Sequence, residues 1–169
     1  HTDKYHYEAW KKLADDLGIY FDEEINNRVR GVSRMESLEI ILEKYDKPMS
    51  ESEKLKNATL KNDLYVTLLK KMTTEDLSPE VKETLEALRG KGLKLAIGSS
   101  SRNAVFILKR IGLEGYFDEI SDGNNITHAK PDPEVFLKAA EYLNIKPEDC
   151  LVVEDALSGL MAAKAANMD

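Results

Sequence analysis

Glu154 and Asp155 stand side by side where the apolar run "CLVV" gives way to "ALSGL". Two adjacent carboxylates resist ionising together unless water, a basic side chain or a metal ion lies beside them. Carboxylate oxygen suits Mg2+, which takes one or two such groups and fills its shell with water or phosphate. The pair therefore reads as a metal site or, through Asp155, as a cap for a following helix. A second group is "GSSSRN", residues 98–103, after another apolar run. Ser99, Ser100 and Ser101 bring hydroxyls and Arg102 a cation, and a helix opening there offers backbone N–H groups to an anion. An N-cap with spare serines is the alternative. In "HAKPDPEVF", Lys130 precedes two prolines that start a helix. Lys130 is then either a solvated surface cation or a phosphate ligand, and His128 is a loop residue. Hydroxyls, a lysine and an acid pair are the parts of a phosphoryl-transfer site, whose transition state spreads negative charge over several oxygens.

The elements that must position these groups differ between the two halves of the chain. In residues 1–77 nearly everything has helical spacing and no strand is evident before Pro79. "YHYEAWKKLADDLG" sets Ala9, Trp10, Leu13, Ala14 and Leu17 on one stripe and ends on Gly18. "DEEINNRVRG" has Asp22 as N-cap and Gly31 as terminator. "SRMESLEIILEKY" and "SESE" each place a glutamate three residues after a serine, the spacing of a capping box. Residues 78–169 alternate: helix from Ser78, strand "LKLAIGSS", helix "RNAVFILKRIGL", strand "EISDG", helix "DPEVFLKAAEYLNI", strand "CLVVED", helix "SGLMAAKAAN". Such alternation predicts an α/β unit with a parallel sheet, preceded by a helical bundle. Ligands of parallel sheets sit beyond the carboxyl ends of the strands. All three groups fall there.

Bulk composition narrows the function classes. The 169 residues are 42% hydrophobic and 33% charged, with no apolar run near the ~20 residues of a membrane span. A net charge of −7 excludes a general nucleic-acid surface, which would be basic. A small anionic ligand stays compatible, because a few focused cations dominate one cleft. The single cysteine, Cys150, rules out an internal disulfide and suits a cytoplasmic protein. Cys150 itself reads as an inert buried thiol opening a strand. The polar start, residues 1–6, is no signal peptide. Lys70 and Lys71 look like a solvated helix face.

Ser99 at a strand end, Lys130 before "PDP", and "EDALSGLMAAKAA" resemble, in order and spacing, the second, third and fourth motifs of the haloacid-dehalogenase superfamily. The helical half resembles that superfamily's inserted cap domain; "YHYEAW", "GVSRMESL" and "KNDLY" resemble its β-phosphoglucomutase branch. The resemblance implies a Rossmann-like core and a cap. It also implies an isomerase that interconverts β-D-glucose 1-phosphate and D-glucose 6-phosphate through a phosphoaspartyl enzyme and a bisphosphate. It assigns Mg2+ to Glu154 and Asp155, and the transferring phosphate to Ser99 and Lys130, with Ser101, Arg102 and Asn103 lining the site. Relatives often carry lysine where Arg102 stands. In the cap, Arg34 would hold the phosphate that is not transferred, Gly31, Val32, Ser33 and Ser37 would shape its pocket, and Lys61 and Asn62 would reach the sugar. Trp10 and His6 would lie near the hinge, with His6 and Thr2 supporting the acid/base loop. Read alone, Trp10 is a core aromatic, His6 a packed histidine and Arg34 a surface cation at a helix start. The expected partner is a small phosphosugar, without nucleic acid or membrane, for a monomer.

Two other functions fit these residues. A sugar-phosphate phosphatase would keep the fold and admit water. A non-catalytic phosphate-binding fragment would keep the cations without chemistry. The superfamily's nucleophile and acid/base are the two aspartates of an "FDxDG" segment on the first strand, and no Asp-x-Asp occurs in the 169 residues. His1 stands where relatives carry aspartate. The resemblance puts that strand between those ending at Gly98 and Glu154. Each buried backbone group left unpaired without it costs roughly 1–3 kcal/mol. The expectation is a longer polypeptide, with about a dozen residues before His1 and several tens after Asp169.

Overall fold

The computed structural model describes residues 2–169. The chain divides into two compact units, residues 1–71 and 72–169. The first is helical: α1 (Asp3–Leu17), α2 (Glu23–Val29), α3 (Arg34–Leu42) and α4 (Glu51–Leu69). Local chemistry sets these boundaries. Asp22 accepts from the Ile25 N–H, and Ser33 and Ser50 form complete capping boxes with Glu36 and Glu53. α1 ends at Gly18 in the left-handed region, at φ 72°. α1 packs on α4, and α3 packs on α2 and α4. Trp10, Leu13, Ile19, Phe21, Leu38 and Ile41 belong to the core they enclose.

The second unit carries α5 (Pro79–Gly90), β1 (Ala96–Gly98), α6 (Ala104–Arg110), β2 (Glu119–Ser121), α7 (Glu134–Leu143) and α8 (Leu157–Ala165). β1 and β2 pair in parallel, with Ala96 opposite Glu119 and Gly98 opposite Ser121. α7 lies on both strands and touches α8, and Val135, Phe136, Ala140, Ala162 and Ala163 fill the space between. The architecture is the expected α/β core with a helical cap domain.

One element differs from the sequence reading. "CLVVED" is extended but forms no ladder with β1 or β2. Its backbone reaches the chain's last residue instead: the Val152 N–H donates to Asp169 O at 2.7 Å, and the Asp169 N–H to Cys150 O at 3.2 Å. Leu151 is 76% and Val153 91% exposed. An apolar run becomes a ladder strand only when a neighbouring strand takes its N–H and C=O groups, and among the described residues none lies beside it. Cys150 is accordingly half-buried rather than buried in a strand, and burial raises its thiol pKa.

Candidate active site

In the α/β unit, Lys130 and Glu154 meet. Lys130 Nζ lies 2.6 Å from Glu154 Oε2 and donates to the Gly98 carbonyl, at the end of β1, at 3.2 Å. Its ammonium also stands 4.7 Å from the centre of the Phe136 ring. Lys130 is only 5% exposed, so it is no solvated surface cation. Gly98 lets the Phe136 ring lie against the end of β1: a Cβ there would fall 2.7 Å from the ring. The other oxygen of Glu154, Oε1, accepts from the N–H groups of Asp155 (3.3 Å) and Ala156 (3.1 Å). α8 has Ala156 at its N-cap position, and that residue brings no side-chain cap. Glu154 serves the orphan N–H groups there, and Asp155 stands exposed beside it.

The serine loop is built differently from the anion cradle that its composition suggests. Ser99 Oγ accepts from the Ser101 N–H at 3.2 Å, and Ser101 Oγ from the Asn103 N–H at 3.1 Å. Two of the loop N–H groups, those of Ser101 and Asn103, are thus spent on hydroxyl oxygens, and the Ser99 and Ser101 hydroxyls keep a proton to donate. Asn103 occupies the N-cap of α6 without a side-chain cap bond. Arg102 is exposed, and its Nε donates to the Gly123 carbonyl at 3.1 Å. Ser99 also bonds to β2 through its backbone, N–H to Ser121 O at 2.9 Å.

Glu134, which the sequence reading passed over, clasps the loop that carries Lys130. Its carboxylate accepts from the N–H groups of Thr127 and His128 and pairs with Lys138 at 3.0 Å. The two backbone bonds, followed by Lys138, lower its pKa to about 2. His128 is exposed, with Nδ1 3.1 Å from the same carboxylate. A glutamate directly after "PDP", at the first helical position, was the available signal.

In the helical unit, a second set of cations meets. Lys61, 4% exposed, places Nζ 2.9 Å from His6 Nδ1 and over the rings of Trp10 (4.4 Å) and Tyr65 (4.7 Å). His6 stacks on Tyr65 with ring centres 3.9 Å apart. Arg34 Nη2 donates to Asn62 Oδ1 at 2.8 Å. Burial, and then the Arg34 charge, pull the Lys61 pKa down to about 7. Burial, then Lys61 and Arg34, push His6 well below its ordinary value. Burial raises Tyr65 to about 12. Trp10, at 2% exposure, is both a core aromatic and one face of the lysine's cage.

The remaining cap positions serve the backbone. Ser33 Oγ takes the Glu36 N–H, and Ser37, buried, donates to the carbonyl of Ser33 at 2.9 Å. Gly31 adopts φ 78° between α2 and α3, and Val32 is half-buried. Thr2 is the N-cap residue of α1; its carbonyl accepts from Tyr5 and His6, and its side chain makes no cap bond.

A parallel α/β core with a lysine–glutamate pair beyond β1, in one chain with a helical unit holding two basic side chains, is one recognisable class of protein. Residues 1–167 match the family model described as haloacid dehalogenase-like hydrolase, and the chain belongs to that family. It is 40% identical to β-phosphoglucomutase of Bacillus subtilis over 99% of this chain and 75% of that protein. A phosphorylated carbohydrates phosphatase of Thermotoga maritima is 35% identical over 99% of this chain and 76% of that protein. Among solved structures, β-phosphoglucomutase from Clostridium difficile superimposes with a TM-score of 0.93 at 40% identity, covering 99% of this chain and 76% of that one.

Proposed function

We propose that the protein is a phosphosugar mutase interconverting β-D-glucose 1-phosphate and D-glucose 6-phosphate. The observation that carries this reading is the Lys61–Arg34 pair. Lys61 is a buried ammonium whose neighbours are an imidazole nitrogen and two aromatic faces, and Arg34 raises the positive potential around it. A buried ammonium beside a half-buried guanidinium is disfavoured by their mutual repulsion, which a bound anion offsets. A mutase substrate carries a phosphate that does not react in a given half-turn, and Arg34 would hold it while Lys61 and Asn62 reach the sugar hydroxyls. In the α/β unit Lys130 would neutralise charge developing on the transferring phosphoryl group, and Ser99 would donate its hydroxyl proton to a phosphoryl oxygen. The phosphoaspartyl enzyme of this reading requires an aspartate outside the 169 residues.

The donor set suits a hard divalent cation: Glu154 and Asp155 are adjacent carboxylates at the end of an extended segment, one anchored by Lys130 and two N–H groups, the other exposed. These two residues would hold Mg2+, which when bound supplies charge neutralisation and orients phosphoryl oxygens. Lys130 and Mg2+ would then share the Glu154 carboxylate.

A sugar-phosphate phosphatase is the second reading, favoured by the 35% identity to the Thermotoga phosphatase. Arg34→Ala separates the two. A charge-assisted hydrogen bond contributes about 1.5–3 kcal/mol, or roughly 10- to 150-fold in rate. Mutase turnover should fall by that factor while hydrolysis of a small ester such as p-nitrophenyl phosphate stays within about twofold. Equal losses in the two assays would remove Arg34 from the proposed role.

A further inference from the structure

We propose that Gly159 is a positioning residue: its missing side chain is the space that holds the Glu154 carboxylate against Lys130. The inference rests on the proposed phosphoryl-transfer site and adds a residue to it. A Cβ built on Gly159 would fall 2.2 Å from Cγ and Cδ of Glu154 and 2.4 Å from Oε2. Oε2 is the oxygen that takes the Lys130 ammonium at 2.6 Å, and Oε1 is the one that takes the Asp155 and Ala156 N–H groups. The glutamate thus folds back over the first turn of α8, where only a hydrogen atom leaves room for it. Gly159 itself is in α8 and donates its N–H to Ala156 O at 3.0 Å. Its φ lies outside the left-handed region, so the backbone does not require glycine. Helical residues ordinarily gain from replacing glycine by alanine. The demand for glycine therefore comes from Glu154.

The clash can be relieved without moving the backbone, at the expense of the Lys130–Glu154 pair. The atoms that a new Cβ would strike are the far end of a flexible side chain, which can swing outward without moving the backbone. Doing so separates Oε2 from Lys130 and strips Oε1 from the helix start. Lys130 would keep the Gly98 carbonyl and the Phe136 face but lose its only carboxylate among the described residues.

The test is Gly159→Ala, read in three ways on the full protein. Thermal unfolding should show a cooperative transition with its midpoint lowered, because Lys130 loses a buried partner. A crystal structure of the variant should place Lys130 Nζ more than about 3.5 Å from both Glu154 oxygens, outside hydrogen-bond range. Calorimetric titration with Mg2+ should show at least a tenfold weaker site, and kcat should fall with substrate KM little changed. A variant that retains the Lys130–Glu154 contact, or binds Mg2+ as tightly as the parent with the same kcat, overturns the proposal. A midpoint lowered well beyond that of Glu154→Ala also overturns it, because Gly159 would then serve packing instead. If the parent protein turns over no sugar phosphate, the functional reading fails, and the structure of the variant still decides whether Gly159 positions Glu154.

Discussion

At the scale of single residues, Lys61 carries the most information. Its ammonium is buried among Trp10, Tyr65 and His6, and its pKa falls from 10.5 to about 7. Below pH 7 the folded and unfolded chains both carry the proton, so the folded state bears a buried charge in full. Between about 7 and 10.5 the unfolded chain binds the proton and the folded chain does not. Stability from this group therefore rises with pH across that window. His6 acts in the same direction lower down: as pH falls through 6.5, the unfolded chain takes a proton that the folded chain refuses. Lys61→Met should accordingly be more stable than the parent at pH 6 to 7, with the difference closing toward pH 10. Urea unfolding at several pH values measures this, and a difference independent of pH would contradict it. The burial of Lys61 was legible in principle, since Ala58, Lys61, Tyr65 and Leu68 recur at three-to-four spacing along one stripe of α4. A lysine on that stripe is easily passed over as surface, because charge usually keeps it there.

At the scale of elements, helix ends were the most legible feature. Asp22, Ser33, Ser50 and Ser78 cap where their spacing places them, because a side-chain oxygen meeting the N–H two or three residues on is a local event. Ser50→Ala should cost about 1 kcal/mol, since Ser50 both accepts from the Glu53 N–H and donates to its carboxylate. Chemical denaturation should show it, and Ser50→Asp should restore most of the loss; an unchanged alanine variant would mean that the box contributes nothing to the folded state. "CLVVED" shows the limit of local reading. Its apolar run has strand composition, yet pairing depends on what lies alongside. The serine loop shows the same limit in another form. Its hydroxyls were legible, but their use as acceptors for the Ser101 and Asn103 N–H groups follows from a turn geometry that composition does not specify.

At the scale of the whole molecule, the two-part organisation and the family were legible because several motifs agree over nearly the full length. The helical half carries Arg34 and Lys61 and the alternating half Lys130, the cations that the proposed phosphate chemistry calls for. The side-chain detail was less legible: neither the Glu134 clasp nor the Gly98 and Gly159 clearances leave a periodic trace, since each depends on residues far apart in the chain or on a missing Cβ. Mutase and phosphatase differ in whether a sugar phosphate or water accepts the phosphoryl group.

The most direct measurement is therefore a 31P NMR time course of β-D-glucose 1-phosphate with the protein, Mg2+ and a trace of glucose 1,6-bisphosphate. Accumulation of glucose 6-phosphate, with inorganic phosphate remaining a minor product, is the expected result. Inorganic phosphate appearing in step with loss of substrate, and no glucose 6-phosphate, would contradict the mutase and leave a phosphatase.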